Sequence, residues 1–135
     1  MGTGKPSPLA LIICDTVIDD RETHKKTLVG TFDTIGVSKV PSLHHQLHVF
    51  VSLANGNGVY QTRLECRHRE NHTKVFEVKA PITFGNPNQV VEINFALRGI
   101  VFQQFGIYNF DFYCDEQFIV TRAFTVAKKQ SYNDG

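Results

Sequence analysis

Three histidines close together, His44, His45 and His48, are the first candidates for chemistry in this 135-residue chain, because imidazole nitrogens serve as metal ligands and as general bases. On a helix His44 and His48 would share a face. The surrounding residues argue for a strand: Leu47, Val49, Val51 and Leu53 alternate with Gln46, His48, Phe50 and Ser52, the period of a pleated chain. Four residues of extended chain span about 13 Å at about 3.3 Å per residue. One ion with bonds of about 2 Å does not bridge that distance. These histidines are therefore read as surface side chains, and no metal is assigned.

Other candidates weaken in the same way. Asp15, Asp19, Asp20, Glu22 and Asp33 would approach one another if the strands around them pair, and oxygen-rich loops bind Ca²⁺. Their spacing fits no known calcium loop, and Arg21, Lys25 and Lys26 offset the charge. A solvated hairpin tip is expected. Arg63, Arg67, Arg69, His68, His72, Lys74 and Lys79 make one hairpin locally basic, but Glu65, Glu70 and Glu77 interrupt the stripe. Alternation also sends Tyr60 to the face opposite Arg63 and Arg67, the reverse of the stacking platform a single-strand binder uses. Nucleic acid is thus an unfavoured partner. None of the serines stands in a GxSxG elbow. Cys66 and Cys114 alternate with polar residues on strands, as buried inert thiols do. Gly2-Thr3-Gly4-Lys5 echoes a phosphate loop without the preceding strand. Neither a catalytic residue nor a cofactor site is assigned.

Composition narrows the class further. With 14 basic and 13 acidic side chains the net charge is +1, so no global field steers the chain toward nucleic acid, anionic lipid or acidic substrates. Eleven Phe, no Trp and one Met suit β layers, and helix-forming runs are missing. Cys14, Cys66 and Cys114 form an odd, widely spaced set, read as free thiols in a reducing compartment. The apolar run Leu9 to Cys14 is shorter than a signal-peptide core, and nothing approaches the roughly 20 apolar residues of a membrane span. The expectation is a soluble cytoplasmic protein with no membrane partner.

The elements that must position these residues centre on Gly106 to Val126. Tyr108, Phe110 and Phe112 alternate with Asn109 and Asp111; the chain turns at Asp115-Glu116; then Phe118, Val120, Phe124 and Val126 share a face with Arg122. That is an antiparallel hairpin. Before it come strands at Leu9 to Asp15, at Leu28 to Val37 with a bulge near Asp33-Thr34, around Leu47 to Leu53, at Val59 to His68 with a solvated polar face, at Lys74 to Ala80 and around Val91 to Leu97. Arg98 to Phe105 reads as a crossover. Residues 1–8 read as a flexible lead-in and 128–135 as a disordered tail. About eight short strands separated by turn signals predict an all-β, antiparallel two-sheet sandwich over residues 9–127.

Two resemblances sharpen this. Ile93 to Phe110 resembles the approach to the tyrosine corner of immunoglobulin-like domains: Ile100 precedes Tyr108 by eight residues and Gly106 by two, while Phe110 stands where an immunoglobulin has its second cysteine. The resemblance implies immunoglobulin-like architecture, with Tyr108 as the structural corner residue. Across Leu9 to Ala127, the segments LALIICDTV, LVGTFDTIGV and GIYNFDFYCDEQFI resemble an uncharacterised bacterial family of small single-domain β-sandwich proteins. That likeness implies a fold and transfers no catalytic residue.

One irregularity points to function. His48 and Phe50 lie on the face of their strand opposite Leu47 and Val49, so Phe50 is either covered by Arg98 to Phe105 or part of an exposed apolar patch. His48 and Phe50 are accordingly the candidate partner surface of a non-catalytic binding or assembly module, whose partner is another protein or a second copy. The alternative is a small hydrolase or metal-dependent enzyme using the surface histidines.

Overall fold

Alternating apolar residues bounded by Gly, Asn and Pro form strands, and the computed structural model of the chain, which describes residues 2–129, contains nine of them. They are β1 (Ser7–Asp19), β2 (Lys26–Thr31), β3 (Thr34–Val37), β4 (Ser42–Ala54), β5 (Gly58–His68), β6 (Lys74–Phe84), β7 (Val91–Phe102), β8 (Gly106–Cys114) and β9 (Gln117–Lys128). Sheet A has the order β2-β1-β4-β7 and sheet B the order β3-β9-β8-β5-β6. Sheet A is wholly antiparallel. Sheet B is curled, and it is mixed because β3 runs parallel to β9. No helix among the described residues is long and apolar enough to cross a membrane.

The parallel pair corrects the expectation of a purely antiparallel sandwich, and its origin is the stretch expected to be one bulged strand. Phe32 still donates its amide to the Ile13 carbonyl in sheet A (3.1 Å), whereas the Asp33 carbonyl already accepts from the Thr125 amide in sheet B (2.9 Å). The change of parity between Phe32 and Ile35 is thus a change of sheet. A bulge keeps the chain in one ladder; here it leaves one ladder and joins the other.

The second correction concerns Arg98 to Phe105. β7 continues as strand to Phe102, paired with β4 from Leu53↔Val91 to Ser42↔Phe102. Phe95 and Leu97 face the core, and so do Ile100 and Phe102, a step of three residues. Gly99 lies inside that step with φ of 67°, a left-handed conformation open to glycine. Past it the strand presents its other parity to the core. β4 turns over opposite: Leu47 is in the core, and His44 directs its ring toward Phe102, 6.5 Å away.

A third correction lies in β9. Phe112 pairs with Val120 and Tyr113 with Phe118, so Ile119 is an extra residue. The bulge buries Ile119 and turns Phe118 outward against the Tyr113 ring (5.8 Å). Phe124 and Val126 keep the expected face. Arg122, on that face too, extends its guanidinium to the Leu11 carbonyl of β1 (3.5 Å). At the N-terminus, Ser7 and Pro8 belong to β1 and not to the lead-in, and Thr3 is bonded through its amide to the Asn57 carbonyl and through its carbonyl to the Tyr60 hydroxyl. At the other end Lys128 closes β9 and the Lys129 amide donates to the Val37 carbonyl (2.7 Å); the rest of the expected tail, residues 130–135, lies outside the described residues.

Leu11, Ile13, Leu47, Val49, Val51 and Leu53 form the inner face of sheet A; Leu64, Cys66, Tyr108, Phe110, Phe112 and Phe124 oppose them from sheet B. Phe102 bridges the layers, with ring centroids 5.1 Å from Tyr108 and 5.8 Å from Phe124. Phe124 also stacks on Phe110 (5.1 Å). Truncating Phe124 to Ala is expected to cost about 3–5 kcal/mol, since it leaves a cavity against three aromatic rings. Chemical denaturation of the variant and the parent, compared at equal m-value, checks this.

Candidate functional site

The outer face of sheet A carries the residues singled out as a partner surface. His48 donates from Nδ1 to Asn94 Oδ1 (2.9 Å) and accepts at Nε2 from the Gln46 amide (3.2 Å), so its two partners determine the tautomer. Phe50 is 7% exposed and His48 8%, which corrects the picture of an exposed patch centred on them. The expected cover, Arg98 to Phe105, does not lie over them: its first five residues are in β7, and Arg98, Ile100 and Phe102 pair edge to edge with Gln46, His44 and Ser42. Phe50 lies instead between Ile12 of β1 and Asn94 of β7, its direct partners on the flanking strands. Cys14, facing His48 across the ladder, is fully covered, and its thiol donates to the Thr16 carbonyl. Burial and the nearby Asp15 carboxylate push that thiol up.

Register and alternation define the rest of this face. Its positions are Ala10, Ile12, Cys14, Thr16 and Ile18 on β1, Thr27, Val29 and Thr31 on β2, and Gln46, His48, Phe50 and Ser52 on β4. None is Asp, Glu, Lys or Arg. On the edge strand β7 the outward residues are Glu92, Asn94, Ala96 and Arg98, all exposed. Among the described residues, neither Glu92 nor Arg98 makes an ion pair.

The three histidines separate, as their strand spacing requires. His45 is exposed, His48 is on the outer face, and His44 is turned toward the end of the core between Phe32 (6.3 Å) and Phe102. Desolvation there holds the His44 pKa below its usual value. With Asp15, Phe32, Thr34 and Ile35 it lines an open cleft of about 350 Å³. Gly30, at φ of 70°, permits this arrangement, because a Cβ there would run into the Asp15 carboxylate. The acidic residues disperse as well: Asp19 pairs with Lys26 (3.2 Å), and Asp20 caps its turn by accepting from the Glu22 and Thr23 amides. No group of three or more His, Cys, Asp or Glu among the described residues is arranged to hold a metal ion.

Sheet B presents a different outer face, and here sequence reasoning missed a site. The polar side of β5 is not fully solvated: Glu65 is only 4% exposed. Arg63 and Arg67, two residues to either side and hence on the same face, both donate to its carboxylate, Arg67 at 3.0 Å. Glu65 stands directly between Asp111 on β8 and Glu77 on β6, and Glu77 has its own cation in Lys74 (2.7 Å). Arg63 also donates to Glu116 (2.9 Å) and lies 3.9 Å above the Tyr113 ring. The i, i+2 spacing of Arg-x-Glu-x-Arg on a strand was the available signal. What it omitted was the flanking acids and the ring that shut out water.

At the end of the sandwich His68 donates from Nε2 to the Phe105 carbonyl (3.1 Å) and accepts at Nδ1 from the Asn71 amide (3.4 Å). Its ring meets Tyr108 edge-on at 4.9 Å. The Tyr108 hydroxyl donates to the Gln104 carbonyl, four residues upstream (2.7 Å). Both line a pocket of about 330 Å³ with Asn71, Thr73, Lys74 and Gln104. All three cysteines are free and buried. Burial and Asp111 raise the Cys66 thiol, while burial and Asp115 push Cys114 up to about 12, so neither is a thiolate nucleophile at neutral pH.

Geometry therefore defines a class: a small all-β, two-sheet domain in which the buried His48 and His68, the Cys14 thiol and the Glu65 carboxylate already hold partners within the fold. Residues 9–127 match the family of unknown function DUF6941, and the chain belongs to that family. No curated protein matches it.

Two expectations follow. Replacing Glu65 by Ala leaves two half-buried guanidiniums without their carboxylate and is expected to cost about 2 kcal/mol; Arg67→Ala, at a more exposed partner, should cost less, and equilibrium denaturation measures both. His44 has a folded pKa below its unfolded value of 6.5. Its contribution is complete above that value and is lost as pH falls through the folded pKa, because the unfolded chain binds the proton first. Melting temperature should therefore drop less steeply for His44→Phe than for the parent between about pH 7 and 5.

Proposed function

We propose that this protein is a non-catalytic binding or assembly module of immunoglobulin-like topology, docking through the outer face of sheet A. The observation that carries this reading is the uncharged outer surface of β1, β2 and β4, since desolvating Ala, Ile, Thr, Phe and Ser costs far less than desolvating charged groups. Sheet B, covered outside by an Arg-Glu network, is the solvated side.

The topology is supported by the strand order. β9-β8-β5-β6 follows the G-F-C-C′ order of a variable-type sheet, and β4 beside β7 follows the B-E pair of the opposite sheet. The Tyr108 hydroxyl bond to an upstream carbonyl has the form of a tyrosine corner. Three unpaired, buried thiols favour a reducing cytoplasmic setting.

The test is a photo-crosslinking amino acid placed at Ala96, on the outer face of sheet A, and separately at Lys79, on the outer face of sheet B. Irradiation in native cytosol should give a discrete adduct from position 96 and none from position 79. Equal labelling from both, or none from 96, would refute the assignment of the face.

A further inference from the structure

The outer face of sheet A is matched to itself. Ile13, Val49 and Phe95 are Cα partners in one row across β1, β4 and β7. Outward residues lie symmetrically about that row: Ile12 and Cys14 on β1, Phe50 and His48 on β4. The two charged residues of the face obey the same symmetry. Glu92 and Arg98 stand three positions to either side of Phe95, opposite in sign, both exposed and unpaired within the described chain.

We propose that the occupant of this face is a second copy of the chain, stacked sheet A against sheet A about a two-fold axis that crosses the strands along the Ile13–Val49–Phe95 row. This rests on the reading of that face as a docking surface. Such an axis lays β1, β4 and β7 each over the same strand of the second copy, running the other way, so that residue i meets j and j meets i, while β2, paired with β1 from Cys14 to Asp19, lies to one side of it. Glu92 then faces Arg98 of the second copy, and Arg98 faces its Glu92, giving two equivalent ion pairs at the rim. Around the axis Phe50 meets the second copy's His48, and no like charges are opposed. Stacked sheets lie about 10 Å apart, a gap that a Glu and an Arg side chain reaching from opposite layers span together.

Three strands overlap across the axis, spaced by about 4.8 Å and over about 11 residues on average at about 3.3 Å, and present roughly 14 by 36 Å, or about 500 Å². Two such faces bury about 1,000 Å² in all, the low end for a specific interface and the size of a weak dimer. The charges set register and orientation, and the uncharged area between them supplies the stabilisation.

The experiment is sedimentation equilibrium of the purified protein and of charge-exchange variants. Wild type should have twice the chain mass at tens of micromolar. Glu92→Arg puts cations on both sides of each pair, and Arg98→Glu puts anions there. Each alone should weaken the dimer at least about tenfold. Mixing the two single variants makes every cross-copy pair attractive again and should restore dimers containing one of each; the double exchange E92R/R98E should restore them by itself. Both positions are exposed, so the variants keep the parent's melting profile. A wild-type monomer overturns the proposal, and so does a mixture that stays monomeric. A wild-type monomer with a discrete adduct at position 96 to a different chain leaves the docking face standing and removes only self-pairing. A monomer without an adduct removes both.

Discussion

Phe102 holds the two layers in register. It is a residue of sheet A whose ring is inserted among Tyr108 and Phe124 of sheet B, and each such aromatic pair adds about 0.5–1.5 kcal/mol beyond its buried area. For that ring to point inward, β7 must present one parity to the core up to Leu97 and the other from Ile100 onward. Gly99 is where this reversal occurs. The same reversal in β4 carries His44 toward the core end and away from His48, so the inserted ring and the dispersal of the histidine cluster have one cause.

Two layers pressed together this way leave two outer faces of opposite character. On sheet B, charged side chains neutralise one another: Glu65 is clasped by Arg63 and Arg67, and Arg63 is shared with Glu116 and Tyr113. On sheet A, β1, β2 and β4 present no charged residue at all, and the edge strand alone carries one of each sign. The polar groups with catalytic potential are held within the fold, His48 by Gln46 and Asn94, His68 by Phe105 and Asn71, and Cys14 by Thr16. Their hydrogen bonds hold the sheet faces and turns in shape. Surface character thus separates the two sides more sharply than any pocket does.

Much of the fold was legible in the chain. Leu47, Val49, Val51 and Leu53 are fully buried as their spacing required, and Tyr108, Phe110 and Phe112 are as well. Asn55-Gly56 lies in the connection between β4 and β5 and Asn86-Pro87 in that between β6 and β7, residue types that favour turns. Legibility failed wherever the parity changed. Alternation cannot distinguish a bulge from a change of sheet, which is why Leu28 to Val37 read as one strand, nor can it see that a glycine lets a strand continue with its faces exchanged, which is why Arg98 to Phe105 read as a connection. Phe118 and Ile119 exchanged places for the same reason. The surface was legible in part: His48 and Phe50 were found on the outer face, but the breadth and neutrality of that face emerge only when β1 and β2 are laid beside β4.

Local patterning by itself determined that this chain is all β and that Leu47, Val49, Val51, Leu53, Tyr108, Phe110 and Phe112 enter its core. Period and spacing are properties of neighbouring residues, so no coordinates were needed. Tertiary structure alone decided which strands share a sheet, that β3 lies parallel to β9, that Glu65 is enclosed, and that Glu92 and Arg98 sit symmetrically on a neutral surface. Each of those depends on residues far apart in the chain meeting across a ladder or between layers, and pairing of that kind leaves no trace in the order of residues along one strand.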